Sequence, residues 1–249
     1  MPSFVIHSIV GNELIKKYNW SDQEQKEFFL GNLLADTISI DLQNNSENNE
    51  YQKKIQNIKS ITHFRGEDED EVVKYPILSK FLVKYKKDLS NKITLGYYLH
   101  LYTDHYYFTT FLTTEVKFLD KNKNITTKRS KNEYIKTKNS DLIKKEVFWS
   151  KTNPNSLYSE YTRMNKYLIN KYKFKYNKET YLDFVDIVIE KNTNEETYPE
   201  SLPIILNKIE KFIEPESTDK EFKIFIKEDV DDFIETIINN FIKENEKIL

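Results

Sequence analysis

The chain has 249 residues, with 38 Lys and Arg against 40 Asp and Glu and a net charge of −2. That balance gives no reason to expect an obligatory nucleic-acid partner or an anionic membrane surface, and no stretch is apolar enough for a membrane span. Cysteine is absent, which excludes disulfides, thiolate metal sites and cysteine nucleophiles.

The N-terminal MPSFVIHSIVGNEL lacks a basic flank, and its short apolar stretch is interrupted by His7. It does not read as a signal peptide, so the expected location is cytoplasmic. Over 6–18, Ile9, Leu14 and Ile15 fall at helical spacing. In SDQEQKEFFLGNLLADTI, Ser21 with Glu24 three residues on predicts a capping box ahead of an apolar run. NNSENNE (44–50) reads as a polar loop. YPILSKFLVKYKKDL is amphipathic, with Pro76 near its start. A helix predicted from about 92 to 112 carries GYYLHLYTDHYYF, residues 96–108.

From 115 to 137, short β-branched and aromatic alternations flank a Lys/Asn turn, which predicts a small β-hairpin or a flexible insertion. Helical patterning returns in SLYSEYTRMNKYLINKY, YLDFVDIVIEK, SLPIILNKIEKFI and EDVDDFIETIINNFIKENEKI. The expected fold class is therefore all-α, as one mainly helical domain over 1–249. Within it, residues 1–112 are expected to form the core that holds the site, about 115–137 the insertion, and about 140–249 a helical scaffold.

All four glycines and all four histidines lie in the first 105 residues, so the chemistry is expected there. His100 and Asp104 are four apart, hence on one helical face, whereas His105 lies well around the helix. Asp36 sits in LLADTI, His63 in ITHFRG and His7 in SFVIHSIVG, each among apolar neighbours. Singly, each has an ordinary reading as a core histidine, a capping aspartate or an ion pair. Together they would bury several ionisable groups, which is costly unless a metal or mutual pairing compensates. Imidazole and carboxylate ligands suit zinc, iron or manganese.

The order His7, Asp36, His63, His100-x-x-x-Asp104, set in NLLADTI, THFR and GYYLHLYTDHYYF, resembles the zinc-dependent phospholipase C family. That superfamily also contains single-strand nucleases. The resemblance covers residues 1–112, under half the chain. It implies a phospholipase C-like helical fold and hydrolysis of a phosphodiester or a phosphorylated small molecule by metal-activated water. Asp36, His63, His100 and Asp104 would hold one zinc, and Asp104 would bridge to a second ion shared with His7. The family normally supplies further histidines downstream, and this chain has none after His105. One or two ions are thus expected; a third would need His105, Glu115, Glu146 or Glu160.

The catalytic candidates are Asp36 as proton acceptor, Arg65 as phosphate clamp, and His105. Arg65 is one of only three arginines, and its guanidinium fork suits a phosphate oxygen. The alternative for it is a salt bridge to the acidic run GEDEDE. The competing expectation for the whole protein is a non-catalytic chain that keeps a structural metal. A nuclease ranks last because no basic groove is visible. The aromatic run 97–111 is expected to be core and not a base-stacking platform. Lys117, Lys121, Lys123 and Lys128 are expected near the mouth of the site.

Overall fold

The computed structural model describes residues 3–44, 49–213 and 221–249. It is mainly α-helical with one small antiparallel sheet. The first helix, α1 (Phe4–Ile15), buries residues on nearly every face, His7 included. At the start of α2 (Asp22–Gly31) the capping box forms as expected: Ser21 Oγ accepts from the Glu24 N–H, and the Glu24 carboxylate accepts from the Ser21 N–H. Such a cap stabilises a helix by about 1 kcal/mol. A single 3₁₀ turn, Leu34–Asp36, follows.

Next come α3 (Ile40–Asn44) and α4 (Asn49–Thr62). Of the expected 44–50 loop, residues 45–48 lie outside the described residues, while 44 ends α3 and 49–50 open α4. The sequence reading did not assign α4. Its buried Ile55 joins Ile38 and Leu42 in a small satellite cluster on which Tyr51 and Ile58 also pack. Tyr51, Ile55 and Ile58 fall at helical spacing and mark the helix.

Beyond α5 (Leu78–Tyr85) lies α6 (Lys92–Tyr106), in which every residue from Ile93 to Asp104 is buried. Asn91 caps it, its Oδ1 accepting from the Ile93 N–H at 2.8 Å. The helix runs on through a π-helical turn, Tyr107–Phe111, into α7 (Leu112–Glu115). The predicted 92–112 helix is thus present and central. Its aromatic residues are core, with Tyr97, Tyr102 and Tyr107 wholly buried. Around the π turn, Thr109, Thr110, Thr113 and Thr114 donate to carbonyls four residues earlier, a back-bonding that bends helices.

The expected hairpin is there, with a third strand added. β1 (Val116–Leu119), β2 (Tyr134–Thr137) and β3 (Leu142–Lys144) pair antiparallel in that order, Phe118 opposite Ile135. The rest is helical: α8 (Lys145–Phe148), α9 (Leu157–Tyr172), α10 (Glu179–Leu182), α11 (Val185–Lys191), α12 (Leu202–Ile213) and α13 (Lys227–Asn245). YLDFVDIVIEK divides between α10 and α11. Helices α9, α12 and α13 pack on α1, and α13 also packs on α6. Helices of the 140–249 scaffold wall in α1 and α6, in one apolar cluster running from Val5 to Phe241.

The closest helix pair is α2 with α6. A Cβ on Gly31 would lie 2.2 Å from the Ile93 carbonyl oxygen, and one on Gly96 would lie 2.1 Å from that of Phe28. Only glycine allows the two backbones to meet this closely. Gly96→Ala should therefore destabilise the protein by about 3 kcal/mol, the upper part of the range for overpacking, by forcing the helices apart. Urea denaturation measures this; a loss under about 0.5 kcal/mol, the scale of a surface change, would show that the contact is not close.

Candidate metal centre

Five side chains from four parts of the chain meet in the interior. His7 comes from α1, Asp36 from the 3₁₀ turn, His63 from the end of α4, and His100 and Asp104 from successive turns of α6. Asp36 is 4 % exposed and the other four 0 %. Two triads, His7–His100–Asp104 and Asp36–His63–His100, each place their ligand atoms within 4.8 Å of one another. His100 belongs to both.

Local chemistry fixes each position. α4 closes in a reversal where the Phe64 N–H reaches the Ile61 carbonyl and the Arg65 N–H that of Ser60, both at 3.0 Å, with Phe64 at φ 50°. A side chain in that left-handed conformation costs about 1–2 kcal/mol. Packing of the Phe64 ring against Phe81, Tyr85 and Tyr97 offsets it. The Tyr97 hydroxyl also donates to the Thr62 carbonyl, which anchors the residue preceding His63. On α6, His100 Nδ1 lies 2.8 Å from the Asn32 carbonyl. A carbonyl only accepts, so Nδ1 carries the proton and the Nε2 lone pair is free for a ligand. His7 stacks on His100, ring centroids 3.7 Å apart and planes 8° from parallel.

The inward-facing atoms are close but unsatisfied. His7 Nε2 is 3.3 Å from Asp104 Oδ1, and His63 Nε2 is 3.6 Å from Asp104 Oδ2 and 3.8 Å from Asp36 Oδ1. His100 Nε2 is 3.9 Å from Asp36 Oδ2. Nε2 of all three histidines and both Asp104 oxygens are buried without a well-formed hydrogen bond in the chain, the nearest approach being His7 Nε2 to Asp104 Oδ1. At about 1–3 kcal/mol for each such atom, five of them approach the whole stability of a domain, about 5–15 kcal/mol. A cation bound by these atoms removes that cost, and the donor set of imidazole and carboxylate fits zinc, manganese or iron.

The electrostatics point the same way. Burial would raise the Asp36 carboxyl, but Lys59 at 3.3 Å, then His100, His63 and His7, outweigh it and hold it well below the usual carboxylate range. Burial likewise raises Asp104, and His7, then His100 and His63, bring it down. Burial, and then Arg65, push His63 well below an ordinary imidazole. Burial and His7 bring His100 down to about 4. At neutral pH the centre therefore holds two carboxylate charges, one of them paired with Lys59, beside neutral His63 and His100.

Not every candidate joins it. His105 is one residue past Asp104, about 100° around the helix. It belongs to neither triad, and its Nδ1 lies 2.8 Å from the Pro76 carbonyl. Glu160 is committed elsewhere, accepting the N–H groups of Lys223, Ile224 and Phe225 and pairing with Arg163. Glu115 accepts the Ile226 N–H, and Glu146 is exposed. None of these completes a third metal position among the described residues. The sequence reading missed Lys59 and Asn32. Lys59 lies four residues before His63, and Asn32 directly follows Gly31, so only spacing hinted at either.

Asp36, Lys59 and Arg65 line a cleft of about 540 Å³ whose far wall includes Tyr158, Tyr161 and Asn165. Arg65 Nε is buried without a partner, and burial lowers the basicity of its guanidinium. The alternative expected for it does not form: among the described residues Glu67 pairs with Lys80, Asp68 with Lys128, and Asp70 with Ser130. Of the four lysines expected near the mouth, Lys128 is held by Asp68 and Lys117 by the Thr113 carbonyl. The β1–β2 connection borders a second cleft beyond Arg65 through Arg129 and Asn132 instead.

No family model, curated protein or solved structure matches this chain, so the centre's chemistry rests on its own geometry. The depressed imidazoles set a pH dependence. As pH falls below about 6.5, the ordinary value, unfolded chains gain protons that native His63 and His100 refuse. Stability of the metal-free protein should therefore drop between about 6.5 and about 4, where native His100 protonates. Denaturation at pH 7, 5.5 and 4.5 measures it, and a flat profile would contradict the neutral assignment.

Proposed function

We propose that this protein is a metal-dependent phosphoester hydrolase, similar in chemistry to the zinc-dependent phospholipase C family, with zinc as the expected ion. The observation that carries this reading is the set of five buried, unpartnered ligand atoms lying next to a cleft lined by Asp36, Lys59 and Arg65. Asp36, His63, His100 and Asp104 would hold one ion, and Asp104 with His7 a second. When bound, zinc supplies Lewis acidity, polarising a phosphoryl oxygen and lowering the pKa of water towards about 7.

The chain's own residues divide the remaining work. Arg65 directs an unpaired guanidinium into the cleft, where it binds and orients a phosphate through its fork of N–H donors. Lys59 holds Asp36 ionised. A carboxylate held that far below its ordinary pKa is a weak base, and efficient proton acceptors have pKa values near the working pH. Asp36 is therefore assigned as a ligand in preference to a proton acceptor. Asn32 fixes the tautomer of His100, and the stacked His7 ring excludes water from the side facing α1.

A second reading, a structural ion without turnover, has one observation in its favour. His7, His63, His100 and Asp104 are fully buried, and of the five only Asp36 lines the cleft. Two variants separate the readings. Asp104→Asn should lose both metal and turnover of bis(p-nitrophenyl) phosphate. Arg65→Ala should keep its metal, measured by elemental analysis, while kcat/KM falls about 10- to 100-fold, as expected for one lost charge-assisted contact of about 1.5–3 kcal/mol. Stoichiometric metal with no turnover across a phosphoester panel would leave the structural reading.

A further inference from the structure

Arg65 and Gln56 form the wall shared by two clefts. The second, about 500 Å³, has Phe108 and Trp149 on its apolar side and Arg129 with Lys74 on its polar side. Four cationic side chains (Arg65, Lys74, Arg129 and Lys145) line it against two acids, Glu71 and Glu146. Two of the chain's three arginines thus face one cleft, and among the described residues no carboxylate pairs with either. The loop holding Arg129 is fixed from both directions. Its N–H donates to the Asp70 carbonyl at 2.6 Å, and its carbonyl accepts from Lys145 Nζ at 2.8 Å. Tying down both peptide groups fixes the backbone from which the exposed Arg129 side chain reaches the cleft, and lowers the ordering cost of the loop on binding an oxyanion.

We propose that this second cleft is an anion subsite, and that the substrate is a phosphoester carrying a second oxyanion, phosphate or carboxylate, across an apolar spacer. The substrate class rests on the hydrolase reading above; the subsite does not. The scissile phosphate lies on the Asp36 side of Arg65, the spacer runs past Phe108, and Arg129 with Lys74 holds the distal anion. An arginine between two anionic positions serves both, which accounts for an unpaired, largely buried guanidinium where a structural arginine would have found a carboxylate.

The test uses non-hydrolysable probes and the fluorescence of Trp149, which lines the cleft. Replacing the other tryptophan (Trp20→Phe) isolates the signal. In zinc-loaded protein, hexane-1,6-bisphosphonate and 6-phosphonohexanoate should bind at least about tenfold tighter than hexylphosphonate, the size of one charge-assisted contact. Arg129→Ala should erase that preference without changing zinc content. A preference for one bifunctional probe over the other tells phosphate from carboxylate as the distal group. In zinc-free protein, either bifunctional probe should still perturb Trp149 in an Arg129-dependent way. If that response persists while zinc-loaded protein hydrolyses nothing, the hydrolase reading falls and the subsite stands. No Arg129-dependent response, or equal weakening of all three probes by Arg129→Ala, overturns the subsite.

Discussion

Everything at the centre of this molecule depends on how closely α2 approaches α6. At Gly31 and Gly96 the helices touch backbone to backbone, with no room for a single added carbon. The contact does more than close a core. It carries Asn32, the residue after Gly31, to the position where its carbonyl accepts from the His100 Nδ1–H and its side-chain amide donates to the His7 carbonyl at 2.6 Å. A third glycine, Gly11, leaves space for that amide, since a Cβ there would lie 2.8 Å from it. Three glycines and one asparagine therefore set the spacing of α1, α2 and α6, and with it the separation of the histidines.

The electrostatic consequence is a small volume with an unusual demand. Two ionised carboxylates and three imidazoles sit in a volume that opens only where Asp36 lines the cleft, and their separations of 3.3–3.9 Å are loose for hydrogen bonds. Ordinary buried ion pairs tighten and saturate their lone pairs. Glu160 in this same chain does so, with three backbone N–H donors and Arg163 at 2.6 Å. The contrast separates a structural carboxylate from a candidate ligand set: one has its partners in the chain, the other has atoms that could take a cation.

Around that volume, charge is arranged by depth. Lys59 touches Asp36 at the rim, Arg65 stands unpaired between two clefts, and Arg129 sits on a loop held at both peptide groups. Of the acidic run beside Arg65, Glu67 pairs with Lys80, Asp68 with Lys128, and Asp70 with Ser130. No helix among the described residues is long and apolar enough to cross a membrane. Arg65, Lys74, Arg129 and Lys145 line the second cleft.

Local signals in the sequence were sufficient for several elements. Ser21 and Glu24 announce a helix start because a cap is satisfied within four residues. The aromatic run of α6 announces burial because no face of it is polar enough for water. His100 and Asp104 announce a shared face because helical geometry alone puts them there. By itself, then, the sequence determined the mainly helical class, the central helix, the hairpin and the short list of ionisable residues lodged in apolar settings. Only the tertiary structure decided which of these meet. It joined His7, Asp36 and His63 to the α6 pair, sent His105 to a backbone carbonyl, gave Glu160 to a loop more than sixty residues away, and freed Arg65 of the acidic run beside it. Burial costs are properties of a folded neighbourhood, and the contacts that impose or relieve them here join residues far apart in the chain, where neither periodicity nor spacing carries information.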